Sequence, residues 1–462
     1  MGEGYQKIKT RRDVMTEKDF LHDLRRGLGG AVIELQKNPD RYKYRDIVLR
    51  CCLKNIAYDT QCEGTKGHYL YTAVCALGAK DEFEDILIGA FMNRLELHFF
   101  SQLFDILRLY ADDGSEKAKN ALRKKYQSLA EQLTRQRTFP FKYCEREQFE
   151  ALMEYEVITN KWPAFKKCVE DAGRIIIKRN DDDGCFYECF IEQSEDVFGK
   201  ERVARYFDTA SEKSAEAGAF VASMRNLQEI QEENRRLRTE PEVTLDSYIA
   251  IARELEKSEY PLAEMMRFTH IFSRQGTTDD FLNLVSVIEG EQSDEIKAKL
   301  LTVFRRIKFP GDIELLIKYA QSDYYWLQYI AVEALERFKD QRVHDLAIKF
   351  IESGNLEAGL PLLIKNWRGS DEPLIRERVL ASKRASHSLQ WNLRDIYGEH
   401  SSKTCGDILE HAYRNGDCSY CRSSIVKVMQ KNRVLSADIL NECLYDSYDD
   451  TRKMAQRIQK RK

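Results

Sequence analysis

The 462 residues carry 73 Lys and Arg against 76 Asp and Glu, a formal charge of −3, so the global charge gives no reason to expect a polyanionic partner. With 43% hydrophobic and 32% charged residues the chain is not disordered throughout, and no run approaches the ~18 apolar residues of a membrane helix. The length exceeds what one hydrophobic core usually serves, and 23 Gly and 8 Pro are few, so many helices joined by short turns fit better than strands.

The polar start Met1-Gly2-Glu3-Gly4-Tyr5-Gln6 lacks the apolar centre of a signal peptide, and Gln6 stands where a myristoylation signal wants Ser or Thr. A cytoplasmic chain with no membrane partner is expected. Most of the 12 cysteines sit in apolar helical patterns, such as Val48-Leu49-Arg50-Cys51-Cys52-Leu53 and Tyr71-Thr72-Ala73-Val74-Cys75-Ala76-Leu77. They are expected to be reduced and buried, acting as small hydrophobes.

In chain order, helices are predicted at roughly 20–37, 44–58, 67–78, 81–92, 96–111 and 116–136, stacked as antiparallel pairs. Breaks fall at Asn38-Pro39-Asp40, at Cys62-Glu63-Gly64-Thr65-Lys66-Gly67 and at Asp112-Asp113-Gly114. Gly27-Leu28-Gly29-Gly30 imitates a dinucleotide loop, but no strand precedes it, and close helix packing explains it better. The stretch from Tyr58 to His68 leads into a helix whose N-terminus suits an anion; without Gly-Lys-Ser/Thr it is no P-loop, and it reads as an inter-helix turn.

On the helix from Lys117 to Arg137, Leu122, Tyr126, Leu129 and Leu133 form one stripe, while Lys117, Lys119, Arg123, Lys124, Lys125, Arg135 and Arg137 supply charge. This is a solvated face or a basic surface for phosphates, to which Lys7, Lys9, Arg11 and Arg12 would add. Thr138-Phe139-Pro140 interrupts the pattern, and the stretch that follows is the least regular of the chain. Asn180-Asp181-Asp182-Asp183-Gly184 reads as an exposed loop, and a charged helix runs from Arg225 to Glu240 before Pro241, a candidate hinge. Three blocks are expected: 1–138, 139–242 and 243–462.

The last third has a period. Helix starts recur at Ile313, Val343, Leu374, Cys405 and Ser436, steps of 30 or 31. Gly311-Asp312-Ile313 returns as Gly406-Asp407-Ile408, and Asp407-Ile408-Leu409 as Asp438-Ile439-Leu440. Within each period two apolar stripes flank a polar turn, such as Gln321-Ser322-Asp323 between Leu315, Leu316, Tyr319 and Leu327, Ile330, Ala331, Ala334, Leu335, Phe338.

Asp446 to Arg452 followed by Met454-Ala455, and Ser322-Asp323 followed by Ile330-Ala331 and Ala334-Leu335, resemble HEAT repeats over about the last 150 residues. The step of 31 is similar to the short bacterial form, below the ~40 of long units. The resemblance implies an all-α solenoid of stacked antiparallel helix pairs. It also implies a turn Asp, Asp446 or Asp450, that accepts turn amides, and an Arg, Arg452, that ties adjacent turns. Tyr329 occupies the region where the first unit should offer the Arg. A tetratricopeptide reading ranks second, because its Trp and Leu-Gly-x-x-Tyr marks are missing.

Cys418-Ser419-Tyr420-Cys421 supplies two potential zinc ligands. Cys405 and His411, six apart on one predicted helix, point to different faces, so packing thiols are preferred, and no metal or cofactor is assigned. Tyr324-Tyr325-Trp326 falls at a repeat turn, where aromatics anchor a protein, stack a base or start a buried helix. Asp323 beside Trp326 is similar to the acidic and aromatic pairing of HEAT-like DNA glycosylases. The protease, hydrolase and nucleotide-binding signatures His-Glu-x-x-His, Gly-x-Ser-x-Gly and Gly-x-x-x-x-Gly-Lys are absent. The expectation is a non-catalytic protein-binding scaffold with Tyr324, Tyr325 and Trp326 as contacts. The alternative is a nucleic-acid-binding solenoid, including a DNA-repair glycosylase, using Lys117, Lys119, Arg123, Lys124 and Lys125. The sequence does not tell whether a small-molecule ligand binds.

Overall fold

Helices begin and end where the local chemistry allows. Thr16 accepts the Asp19 amide to open Glu17–Arg26, and Gly27, at φ 74°, closes it in the left-handed conformation that suits glycine. The computed structural model describes residues 15–93, 97–135, 143–179, 187–237, 240–255 and 261–461. Among these the chain is all-α, with no strand and a single isolated bridge between Ala385 and Gly416. No helix is long and apolar enough to cross a membrane.

The predicted helix 20–37 is two helices, Glu17–Arg26 and Gly29–Lys37, divided at Gly27. That predicted at 44–58 stops at Cys52, where buried Gln102 donates its amide to the carbonyls of Cys51, Cys52 and Lys54 at 3.0, 3.0 and 2.7 Å and so takes over the helix end. The later predicted helices are observed as Gly67–Leu77, Lys80–Asn93, Leu97–Asp112 and Glu116–Arg135. The expected interruptions at Thr138-Phe139-Pro140 and Asn180 to Gly184 lie outside the described residues. Cys51 and Cys52 are buried, and burial pushes the Cys51 thiol up to about 11, but Cys75 is exposed, because it lies on the solvent side of its helix.

Two compact units emerge: the described residues of 1–238 with 440–462, and those of 239–439. In the first, Gly29–Lys37, Gly67–Leu77, Leu97–Asp112, Glu116–Arg135 and Tyr143–Arg179 pack each on the next, and Tyr143–Arg179 also packs on Ala215–Leu237. The C-terminal segment returns to this unit. The Ser447 amide donates to the Gly27 carbonyl at 2.9 Å, and a Cβ on Gly29 would lie 1.9 Å from the Glu442 carbonyl oxygen. Helix packing is therefore what the glycines of the 27–30 run serve.

The stretch from Tyr58 to His68 is a turn. Asp59 caps the short helix Thr60–Glu63, and the buried Lys66 ammonium donates to the carbonyls of Arg25 and Ile56 at 2.9 and 3.3 Å, with Glu63 3.6 Å away. Its charge is committed to structure.

Across the last third, first helices Ile313–Tyr319, Gln341–Glu352, Glu372–Ala381, Gly406–Asn415 and Ala437–Cys443 alternate with second helices Tyr325–Leu335, Leu356–Asn366, His387–Glu399, Ser419–Asn432 and Asp449–Gln459. The second helices start at steps of 30 to 32. Within the second unit each second helix packs on the next second helix, while Gln341–Glu352, Glu372–Ala381 and Gly406–Asn415 pack in series. Buried Asn366 and Asn432 end their helices by donating to carbonyls of the preceding pair, Phe338 at 2.9 Å and Tyr397 at 2.8 Å. In the final turn Asp446 accepts the Tyr448 amide at 2.8 Å, and Arg452 ties down its own turn through the carbonyls of Asp446 and Ser447 at 2.6 and 2.8 Å. Arg422, fully buried, reaches the carbonyl six residues back, Gly416, at 3.4 Å.

Gly29→Ala should lower stability by about 1–3 kcal/mol, because backbone atoms must yield to the new methyl group. Gly89→Ala, in open space on Lys80–Asn93, should raise it by about 0.5–1 kcal/mol. Urea midpoints of the two variants beside the parent check both signs.

Candidate functional site

Tyr325–Leu335 buries Leu327, Ile330, Ala331, Ala334 and Leu335, so residues at the complementary positions must face water. Those residues are large and apolar: Tyr325 is 57% exposed, Trp326 44% and Tyr329 39%. Spacings of three and four put them on one helix face. Tyr325 and Trp326 meet edge to face at 5.0 Å, and Tyr329 lies 6.1 Å from each. Of the turn aromatics, Tyr325 and Trp326 are on the surface, whereas Tyr324 is the half-buried N-cap, its amide held by Ser322 Oγ at 3.1 Å. Tyr329 completes the cluster; its i+4 relation to Tyr325 was the signal in the sequence.

Tyr329 also links the cluster to a groove. Its hydroxyl donates to Glu333 Oε1 at 3.0 Å, and the Arg305 guanidinium, 6.0 Å from the Tyr329 ring, bonds the same carboxylate at 2.9 Å. The groove, about 650 Å³, is lined by the cations Arg305, Arg306, Arg337 and Lys365, the carboxyls Glu333 and Glu336, and apolar Met266 and Ile364. Burial, then repulsion from Glu333 and Asp395, pushes the Glu336 carboxyl up to about 7. The four cations outnumber the two carboxyls, and at neutral pH Glu336 is only partly ionised, so positive charge exceeds negative in the groove.

The predicted basic helix face is largely neutralised. Lys117 pairs with Asp85 at 2.9 Å and Lys119 with Glu116 at 2.7 Å. Lys125 is 3% exposed and donates to the Met92 carbonyl at 3.3 Å, over the Phe91 ring, so it contributes nothing to a surface. Arg123 and Lys124 are exposed. Lys7, Lys9, Arg11, Arg12 and Arg137 lie outside the described residues.

A second basic concentration had no sequence signature. A pocket of about 440 Å³ in the first unit is lined by Trp162, Lys166, Arg202, Arg205, Tyr206 and Lys213. Arg202 stacks over Trp162 at 4.2 Å and Lys213 over Tyr206 at 4.5 Å. At its edge Tyr143–Arg179 kinks at Lys161, whose φ of 62° is strained for a residue with a side chain.

Of the cysteine group, Cys405 donates its thiol to the Ser402 carbonyl at 3.2 Å, and His411 bonds Ser382 at 3.2 Å; neither joins Cys418 and Cys421. Asp323 is exposed and lines neither the groove nor the pocket.

No protein-family model, curated protein or solved structure matches the chain.

Glu336 provides a test of the groove. Its carboxyl is raised in the folded chain from an ordinary 4.5 to about 7, so it costs nothing below pH 4.5, and the destabilisation grows between pH 4.5 and about 7 and levels off above that. Glu336→Gln should therefore gain stability over the parent at pH 8, on the order of 2 kcal/mol, and lose that advantage at pH 4. Denaturation of both proteins across this range measures the difference.

Proposed function

We propose that this chain is a non-catalytic scaffold, a HEAT-like solenoid of stacked helix pairs in the cytoplasm, which binds an extended acidic segment of a partner protein along its second helices. The observation that carries the reading is the exposed Tyr325, Trp326 and Tyr329 cluster, joined through Glu333 to the cation-rich groove. Large aromatic groups left in water are the usual anchors of protein interfaces. Arg306, Arg337 and Lys365 beside them suit carboxylates, and Met266 and Ile364 offer apolar contact to intervening side chains.

The test is fluorescence anisotropy of labelled acidic peptides carrying interspersed aromatic residues, beside neutral and basic peptides of the same length. The acidic peptides should bind preferentially. Trp326→Ala should weaken them about tenfold or more, and Arg337→Glu with Lys365→Glu should abolish the preference for acidic sequence. Equal binding of all peptides, or indifference to Trp326→Ala, would remove this reading.

A nucleic-acid function, including base repair, rests on a different observation, the pocket at Trp162, where four cations line a space with aromatic groups. Its mark would be oligonucleotide binding that falls steeply between about 50 and 200 mM salt and is lost in Lys166→Glu with Arg202→Glu.

A further inference from the structure

The first residues of neighbouring second helices converge. Cys418 is the N-cap of Ser419–Asn432 and Cys421 is its third residue, so the two thiols sit one above the other on the first turn. His387 is the first residue of His387–Glu399, the second helix one period earlier, which packs directly on Ser419–Asn432. Ser386 fixes that start by accepting the Leu389 amide at 3.2 Å. The result is a group of one imidazole and two thiols whose ligand atoms all lie within 4.8 Å of one another. Cys421 Sγ is 3.2 Å from His387 Nδ1.

We propose that His387, Cys418 and Cys421 bind one borderline-soft divalent cation of the zinc class, which staples two successive second helices. The donor set is right for such an ion, since zinc takes imidazole nitrogen at ~2.0–2.1 Å and thiolate sulfur at ~2.3 Å in a tetrahedron, which puts N and S about 3.5 Å apart. Only small side-chain shifts separate the observed group from that geometry.

Three features of the surroundings suit a metal-bound sulfur. Both cysteines stand at a helix N-terminus, whose amide dipoles stabilise thiolate. The Trp391 indole N–H donates to Cys421 Sγ at 3.1 Å. The Arg394 guanidinium, 5.7 Å from the Trp391 ring, interacts electrostatically with Cys421. Both cysteines are 1% exposed, while His387 is half-buried, which leaves water or a small solute to supply the fourth ligand from the side of the imidazole. Three protein ligands and one exchangeable position are an established zinc arrangement. Binding releases the thiol protons to solvent and involves no change of oxidation state.

The experiment is titration of the reduced full-length chain with cobalt(II), read by absorbance. Stoichiometric binding should produce a thiolate-to-cobalt charge-transfer band and the intense visible bands of a tetrahedral site, and zinc should bleach them. Cys418→Ser and Cys421→Ser should each at least halve the charge-transfer intensity. His387→Gln, at a half-exposed position the fold tolerates, should weaken cobalt binding about tenfold or more, and Cys405→Ser should bind like the parent. Absence of the bands in the parent would overturn the proposal. So would equal spectra in the parent and His387→Gln, or loss of the bands in Cys405→Ser. A spectrum lost in every variant that still folds, Cys405→Ser included, would count as the last case.

Discussion

A chain built from many short helices has as its central constraint the unsatisfied backbone groups at each helix end. Every α-helix leaves four carbonyls and four amides without intrahelical partners, and short helices present them often. Buried, such groups need partners inside the protein. This chain supplies them with long polar side chains sunk into the interior: Gln102 at the end of Arg45–Cys52, Lys66 at Arg25 and Ile56, Asn366 and Asn432 at the joints between pairs, and Arg422 on the Gly416 carbonyl. Polar residues that look like surface chemistry in the sequence therefore do structural work. The apolar stripes supply the force that packs helix on helix, and these bonds decide where each helix stops.

The same economy governs the charges. Lys117, Lys119 and Lys125 read as cations for a ligand, yet each is engaged by a carboxylate or a carbonyl of the chain. Besides exposed Arg123 and Lys124, cations gather in two places, the groove beside Tyr329 and the pocket at Trp162.

The helical class and the spacing of 30 to 32 residues between second-helix starts were legible because both depend on periodicity, which survives in sequence. The break at Gly27 was harder, since a single glycine in the left-handed conformation divides two helices with almost no turn between them. The cluster was half legible. Tyr325 and Trp326 stood out as adjacent aromatics, but Tyr329 joins them only once the helix is drawn. His387 was missed because the search for partners of Cys418 and Cys421 stayed local, whereas the helix that packs on Ser419–Asn432 here begins at His387, more than 30 residues earlier. The pocket at Trp162 gathers side chains from three segments between 162 and 213 and leaves no periodic trace. Likewise, nothing local in Glu442 or Ser447 announces that they meet Gly29 and Gly27.

That last contact makes the first unit discontinuous in the chain: its helices between 15 and 237 are completed by a segment beyond 440, while the second unit is uninterrupted. A ribosome delivers residues in order, so the second unit has all of its sequence available while the first still lacks its closing piece. The contact at Gly27 and Gly29 stays open until the segment from Glu442 to Ser447 has been made, after the whole of the second unit's sequence before it.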